Sequence, residues 1–261
     1  MPVPPEFAAG NEPPVALVTG GAKRIGGAFA EALAAEGFRV AIHCNRSREE
    51  AEALGRRLAA AGAPAPIVVA ADLAAPDVGR QILDALPQAP AVLVNNASLF
   101  EDDRIEDFAT ERFDRHMAVN LRAPALLVQE MAQRLPADRN GLVINLLDAK
   151  LSSLNPDFFT YTLSKIGLDG MTEMAARSLA PRIRVNAIAP AITVISGYQS
   201  RENFAAAHLL NPLARGVEPA HLVAALQYLL HTPTVTGQTL TVDAGQRFLG
   251  LPRDVAYMVP A

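Results

Sequence analysis

Tyr161 and Lys165 stand four residues apart in Tyr161-Thr-Leu-Ser-Lys165. Thr160–Leu179 has helical character, and residues at i and i+4 share a helix face. The spacing therefore points the phenol and the ammonium the same way. A neighbouring cation favours phenolate and lowers a tyrosine pKa from about 10, each unit corresponding to about 1.4 kcal/mol. The product is a proton donor usable near neutral pH. Asp148 lies two residues past Val143-Ile-Asn-Leu146, a short apolar run that reads as a buried strand. Taken alone, Tyr161 and Lys165 read as an ordinary amphipathic pair. The frame around them turns the pair into chemistry.

That frame is one large domain. The chain has 261 residues, 50% hydrophobic and 19% charged, enough to bury a sizeable core in a single soluble α/β domain. A net charge of -4 offers no global field to nucleic acid or an anionic membrane, so neither is expected as a partner. Cys44 is the sole cysteine, which excludes an intrachain disulfide and a cysteine metal cluster, and no metal is expected. No apolar run approaches the ~20 residues needed to span a bilayer. Residues 1–14 carry Pro2, Pro4, Pro5, Pro13 and Pro14 without a basic start and apolar run. They read as a mobile tail rather than a secretion signal, ahead of a domain over 15–261, and a cytoplasmic location is expected.

Val15-Ala-Leu-Val-Thr19 reads as a strand that leads into Gly20-Gly-Ala-Lys-Arg-Ile-Gly26. A helix follows, with Ile25, Phe29, Leu33 and Phe38 on its apolar side. Strand, glycine turn and helix are the context a phosphate-binding turn requires. Gly20 permits a tight turn, Gly26 lets helix and strand pack closely, and the helix start offers free N–H groups to a pyrophosphate.

The second strand, Phe38–His43, runs into His43-Cys-Asn-Arg-Ser-Arg48. An acid at this strand end would bind a ribose 2′-hydroxyl and select NAD. No acid stands between Gly37 and Ser47. Arg46 and Arg48, with Asn45 and Ser47, instead suit a 2′-phosphate, which favours NADPH. The same loop also reads as a helix start, with Ser47 as N-cap and Glu50 three residues on.

Further strands are expected at Ile67–Ala70, Ala91–Val94, Leu142–Leu146, Ile183–Ile188 and Thr239–Val242. Helices are expected at Arg48–Ala61, Val78–Leu86, Glu111–Leu135 and Pro219–Leu230. The long helix over 111–135 should kink at Pro124, and Asn120 is either a local bulge or a site residue. Residues 192–213 are weakly patterned, as a substrate lid would be. Strands alternating with helices give a Rossmann-type, doubly wound parallel sheet of about seven strands with helices on both faces. Its ligand cleft lies at the strands' carboxyl ends, where Gly20, Arg46, Asp72, Asn95 and Asp148 all fall. Asp72 reads as an adenine acceptor or, on its own, a helix cap.

With these residues in hand, the chain resembles the short-chain dehydrogenase/reductase family from about Val15 to Gly245. Thr19-Gly20, Asn95-Asn-Ala97, Asn120, Tyr161-x-x-x-Lys165 and Asn186-x-x-x-Pro190 occur in the family's order. Arg24 stands where the turn usually has glycine, and Asp148 where the family usually has serine. Both are similar to the pteridine reductase branch, as are His43-x-x-Arg46-Ser47 and Asn95-Asn-Ala-Ser98-x-Phe100.

The resemblance implies that Tyr161 donates a proton, that Lys165 lowers its pKa and holds the nicotinamide ribose, and that Asn120 keeps a water relay in place. It implies that NADPH is held by Gly20, Lys23, Arg24 and Ile25, by His43, Asn45, Arg46 and Ser47, and by Asp72, Leu73, Asn95, Ala97, Ser98, Tyr161, Lys165 and Pro190. It implies a pterin substrate against Arg24, Ser98, Phe100, Asp148 and Tyr161, and a homotetramer.

The chemistry agrees with that branch. A pterin C=N bond needs hydride on carbon and a proton on nitrogen, and an aspartic acid beside the phenol can resupply that proton through Tyr161. Phe100 supplies a flat apolar face for a flat ring. The alternatives are a carbonyl reductase for a 3-oxoacyl or small keto substrate, against which Asp148 counts, and a non-catalytic dinucleotide sensor, against which the retained Tyr161 and Lys165 count.

Overall fold

The structure, a computed structural model, describes residues 3–8, 12–196 and 199–260. Seven apolar runs become the strands β1 Val15–Val18, β2 Arg39–Cys44, β3 Ile67–Ala70, β4 Val92–Asn95, β5 Gly141–Leu146, β6 Ile183–Pro190 and β7 Thr239–Val242. All pair parallel in the order β3-β2-β1-β4-β5-β6-β7. The strand order reverses between β1 and β4, which opens a crevice at their carboxyl ends.

Helices cover both faces: α1 Arg24–Ala35, α2 Arg48–Ala60, α3 Val78–Asp84, α4 Thr110–Met117, α5 Ala123–Arg134, α6 Phe159–Leu179, α7 Arg201–Leu209 and α8 Pro219–His231. Strand alternation sends Ala16 and Val18 to one core, with Phe29 and Leu33 of α1, Leu54 of α2 and Leu226 of α8. Val15 and Leu17 go to the other, with Ile82 of α3 and Leu127 and Met131 of α5. No helix among the described residues is long and apolar enough to cross a membrane.

Several expectations need correction. The helix over 111–135 is not one kinked α-helix. α4 and α5 are joined by a π-helical turn, Ala118–Arg122, with Asn120 at its centre, the local bulge expected there. Pro124 sits in the first turn of α5, but Arg122 before it is already helical (φ -63, ψ -45), so the missing N–H leaves one bond of a continuous helical run unmade. α3 ends at Asp84, short of Leu86.

The weakly patterned region 192–213 holds a helix, α7, whose N-cap Ser200 accepts from Asn203 N–H; Gly197 and Tyr198 of that region lie outside the described residues. Ser47 stands at the N-cap of α2 but makes no side-chain cap bond, and the Glu50 side chain pairs with Lys23 at 3.1 Å rather than completing a capping box.

The proline-rich start is held against the domain where it is described. Phe7 is buried beside Phe38, and Glu6 pairs with Arg184 at 2.7 Å. Met1, Pro2, Ala9, Gly10 and Asn11 of that segment lie outside the described residues. A second departure follows β7. Residues 246–257 form two short 3-10 turns and return to the sheet's carboxyl edge.

Candidate active site

A cavity of about 780 Å³ opens at the carboxyl ends of the central strands, within the range of small-molecule sites. The turn after β1, the ends of β2, β4, β5 and β6, the first turns of α6, the start of the lid and the C-terminal segment enclose it. Gly20, Lys23, Arg24, Ile25, Asn45, Arg46, Ser47, Ala97, Ser98, Phe100, Asp148, Tyr161, Lys165 and Pro190 all line it. His43, Asp72, Leu73, Asn95 and Asn120 do not, and each has another place.

His43 holds the glycine turn from below. Gly20 N–H donates to its Nδ1 at 3.2 Å, and Gly21 N–H donates to its carbonyl at 2.9 Å. Nδ1 must then be the acceptor, so Nε2 carries the proton and donates to Ala71 O at 3.1 Å. Burial pushes the His43 pKa from 6.5 down to about 4, against the raising pull of the Ala71 carbonyl and Asp72. Asn96 ties the other side of the turn, donating to Thr19 O at 2.8 Å and Gly20 O at 3.2 Å. A Cβ on Gly26 would meet Gly20 O at 2.2 Å, so only glycine permits this closure.

Arg24 adopts φ 57 at the start of α1, a left-handed backbone that costs a non-glycine residue about 1–2 kcal/mol. From there its guanidinium reaches across the cavity and donates to Ile195 O at 2.8 Å.

At the end of β2 the charges sort themselves. Lys23 is paired with Glu50 and Arg48 with Glu52. Arg46 is exposed, lines the cavity and makes no ion pair with a described residue. An unpaired cation and the bare turn of α1 are what an extra phosphate requires.

Asp72 is exposed and accepts Ala74 N–H at 2.9 Å, closing the turn after β3 rather than capping α3, and Leu73 is buried in the core. Asn95 is buried and donates to Asn145 Oδ1 at 2.8 Å across the β4–β5 register. Its neighbour Asn96 takes the position facing the cavity.

On the opposite wall, Tyr161 Oη donates to Asp148 Oδ2 at 2.8 Å, and Asp148 Oδ1 accepts Lys150 N–H at 2.8 Å. Lys165 is buried, with Nζ donating to Leu146 O at 2.7 Å and lying 5.8 Å from the Tyr161 ring centroid. Burial lowers its pKa to about 8, with Asp148 pulling the other way. The spacing argument is thus met by geometry: α6 presents phenol and ammonium to one site, and β5 delivers the carboxylate.

Asn120 acts from behind. Its Oδ1 accepts Leu99 N–H at 2.8 Å, and its Nδ2 donates to Leu99 O at 3.0 Å and Ser164 Oγ at 3.0 Å. Ser164 in turn donates to Tyr161 O at 2.6 Å. The extra residue of the π-turn pushes Asn120 into this bracket between the loop after β4 and α6. Phe100 lies with one face stacked on Phe158, centroids 4.2 Å apart, and its neighbour Tyr161 edge-on at 4.7 Å.

Two contributions escaped the sequence reading. Asn96 could have been found, since it is the first residue past β4 and so lies at the carboxyl-end cleft. The wall formed by Arg253, Asp254, Val255 and Ala256 carries no motif and lies past the last strand.

Comparison with known proteins agrees with this architecture. The model of the family described as short chain dehydrogenase matches residues 14–203. A solved structure described as FolM alternative dihydrofolate reductase 1 from Brucella canis, complexed with NADP, is 44% identical. It superposes with a TM-score of 0.85 over 91% of this chain and 94% of its own. A blue fluorescent protein from a metagenomic library, in complex with NADPH, is 30% identical with a TM-score of 0.79 over 89% and 97%. The 3-oxoacyl-[acyl-carrier-protein] reductase FabG of Staphylococcus aureus (strain Mu50 / ATCC 700699) is 31% identical over 237 residues, 88% of this chain and 96% of its own.

Proposed function

Since this chain belongs to the short-chain dehydrogenase family, we propose that it is an NADPH-dependent reductase of the pteridine reductase type, acting on a C=N bond of a pterin or dihydropterin. The observation that carries this reading is the hydrogen bond from Tyr161 to Asp148 at 2.8 Å. A carboxyl group in contact with the phenol can return a proton to it after each turnover, as nitrogen protonation requires. The likeness at 44% identity to a protein described as an alternative dihydrofolate reductase supports the same substrate class.

The residues fit the cofactor. The closed turn at Gly20 and Gly26 leaves the start of α1 bare for a pyrophosphate. Arg46, which makes no ion pair with a described residue, offers its guanidinium to a ribose 2′-phosphate. Bound NADPH supplies a hydride to the substrate carbon. Tyr161 delivers the proton to nitrogen, and Lys165 favours the phenolate left behind. Asp148 takes up solvent protons and reloads Tyr161. Arg24 and Phe100, both in the cavity lining, orient the flat ring.

A second reading, a carbonyl reductase for 3-oxoacyl substrates, is favoured by the likeness to FabG. NADPH oxidation measured side by side with dihydrobiopterin, dihydrofolate and a 3-oxoacyl thioester separates the two. Turnover confined to the thioester would overturn the pterin reading. Assembly as a homotetramer, tested by sedimentation, belongs to the same proposal.

A further inference from the structure

Beyond β7 the chain returns to the cavity, and the return is rigidly held. The buried carboxylate of Asp157 accepts Arg253 Nε at 2.8 and 2.9 Å, Arg104 at 2.5 Å and the backbone N–H of Asp254 at 2.7 Å. That anchor fixes Asp254 in the cavity wall, facing Lys150 and Asp148.

Asp254 Oδ1 accepts Ala256 N–H at 3.1 Å. Among the described residues its Oδ2 has Lys150 Nζ alone, at 3.7 Å, beyond hydrogen-bond length. Lys150 donates to Asp157 O and sits 5.2 Å from the Phe158 ring centroid, so an ammonium with three donors has capacity left. The Lys150 side chain is 7% exposed and that of Asp254 17%. Burial pushes the Lys150 pKa down. It pushes the Asp254 carboxyl up, against the pull of Lys150 and with the push of Asp148 and Asp157. A pair kept only for stability would close to a direct hydrogen bond, because an unmet buried polar atom is costly. This pair stays open toward the cavity, beside the carboxylate that touches Tyr161.

We propose that Asp254 and Lys150 are a substrate-recognition pair. Asp254 Oδ2 accepts an N–H, and Lys150 Nζ donates to an adjacent carbonyl or ring nitrogen, on the edge of the heterocycle. The proposal rests on the reductase reading above and names what selects its substrate. An amide-like edge with donor and acceptor side by side occurs on pterins and is missing from simple ketones. A site built to bond such an edge rejects molecules that lack it, since its buried polar groups would be left unpaired.

The test is steady-state kinetics of the full chain with NADPH and dihydrobiopterin, for Asp254→Asn, Asp254→Ala and Lys150→Met. NADPH affinity and melting temperature serve as measures of integrity. Each variant should raise KM roughly tenfold or more, as loss of a charge-assisted hydrogen bond implies, while kcat moves less than about threefold. Lys150→Met stands in should the Asp254 variants not fold. An unmoved KM in a folded variant, or a fall in kcat at constant KM, overturns the pair and leaves the reductase reading standing. Absence of dihydrobiopterin turnover in the wild type overturns that reading, and the pair with it.

Discussion

Tyr161 Oη and Asp148 Oδ2 are 2.8 Å apart, with the carboxylate's other oxygen fixed by Lys150 N–H. The phenol is therefore oriented by the Asp148 carboxyl group before any substrate arrives. Tyr161→Phe should keep cofactor affinity and lose turnover by the ~10²–10⁴-fold that general acid catalysis contributes. Cofactor titration beside turnover checks it, and substantial residual activity would remove Tyr161 from the role.

Asp148→Ser separates the two substrate readings. A hydroxyl at 148 can polarise a ketone but cannot reload the phenol from solvent. Pterin reduction should fall by ten-fold or more within the same ~10²–10⁴-fold ceiling, while activity on a simple ketone holds or rises. General damage to the fold lowers both, so parallel losses would count against the relay.

Arg46 is the cavity-lining cation of the β2 loop that Glu50 and Glu52 leave unpaired. Arg46→Ala should weaken NADPH binding by on the order of 1.5–3 kcal/mol and NADH binding far less. Arg48→Ala, whose partner is Glu52, should do much less. Isothermal titration of both variants with both cofactors decides it. Equal or tighter NADH binding in the wild type would defeat the assignment.

Much of this was legible in the chain. The sheet was, because seven apolar runs are punctuated by glycine, proline and amide turns, and a parallel strand buried on both faces has few other patterns. The site was in part. Gly20, Arg46, Tyr161 and Lys165 announce themselves by spacing, and the cavity gathers them. Asn120 was harder, since a π-turn inserts one residue without disturbing helical composition. Asn95 ends β4 and Asn96 begins the loop after it, a one-residue difference that composition does not mark. Phe7 was hidden by the prolines around it, and Asp254 by lying where no periodic element runs. Both are held by contacts distant in the chain, Phe7 to Phe38 and Asp254 to Asp157.

Gly26 gives a steric test of the turn. A methyl group there would sit 2.2 Å from Gly20 O and 2.5 Å from Asn96 Nδ2, and backbone cannot yield as a flexible side chain can. Gly26→Ala should open the turn, lower NADPH affinity at least about tenfold and cost 1–3 kcal/mol of stability, on the order of other overpacked sites. Gly62, with nothing near its Cβ position but a φ of +86, should lose stability on the same substitution without losing cofactor affinity. Equal affinity losses in the two variants would refute the closure argument.

His43 gives the turn a pH limit. Its pKa is about 4 in the folded protein against 6.5 unfolded, so between these values the unfolded chain binds more protons. Stability must then rise with pH across that window: fully present above about 6.5, and lost progressively as pH falls toward 4, by roughly 3 kcal/mol in all. The loss has a local cause. A proton on Nδ1 would set an N–H against the Gly20 N–H that it now accepts, while Nε2 is already committed to Ala71 O. The glycine turn, and with it cofactor binding, should loosen before the domain unfolds. His43→Gln keeps a donor and an acceptor but no titrating ring. Urea unfolding of both proteins between about pH 4.5 and pH 7.5 isolates the effect, because the other titrating groups are shared and cancel in the difference. The variant should show the shallower dependence. A wild type no more sensitive to acid than His43→Gln would mean that the imidazole does not titrate against the turn.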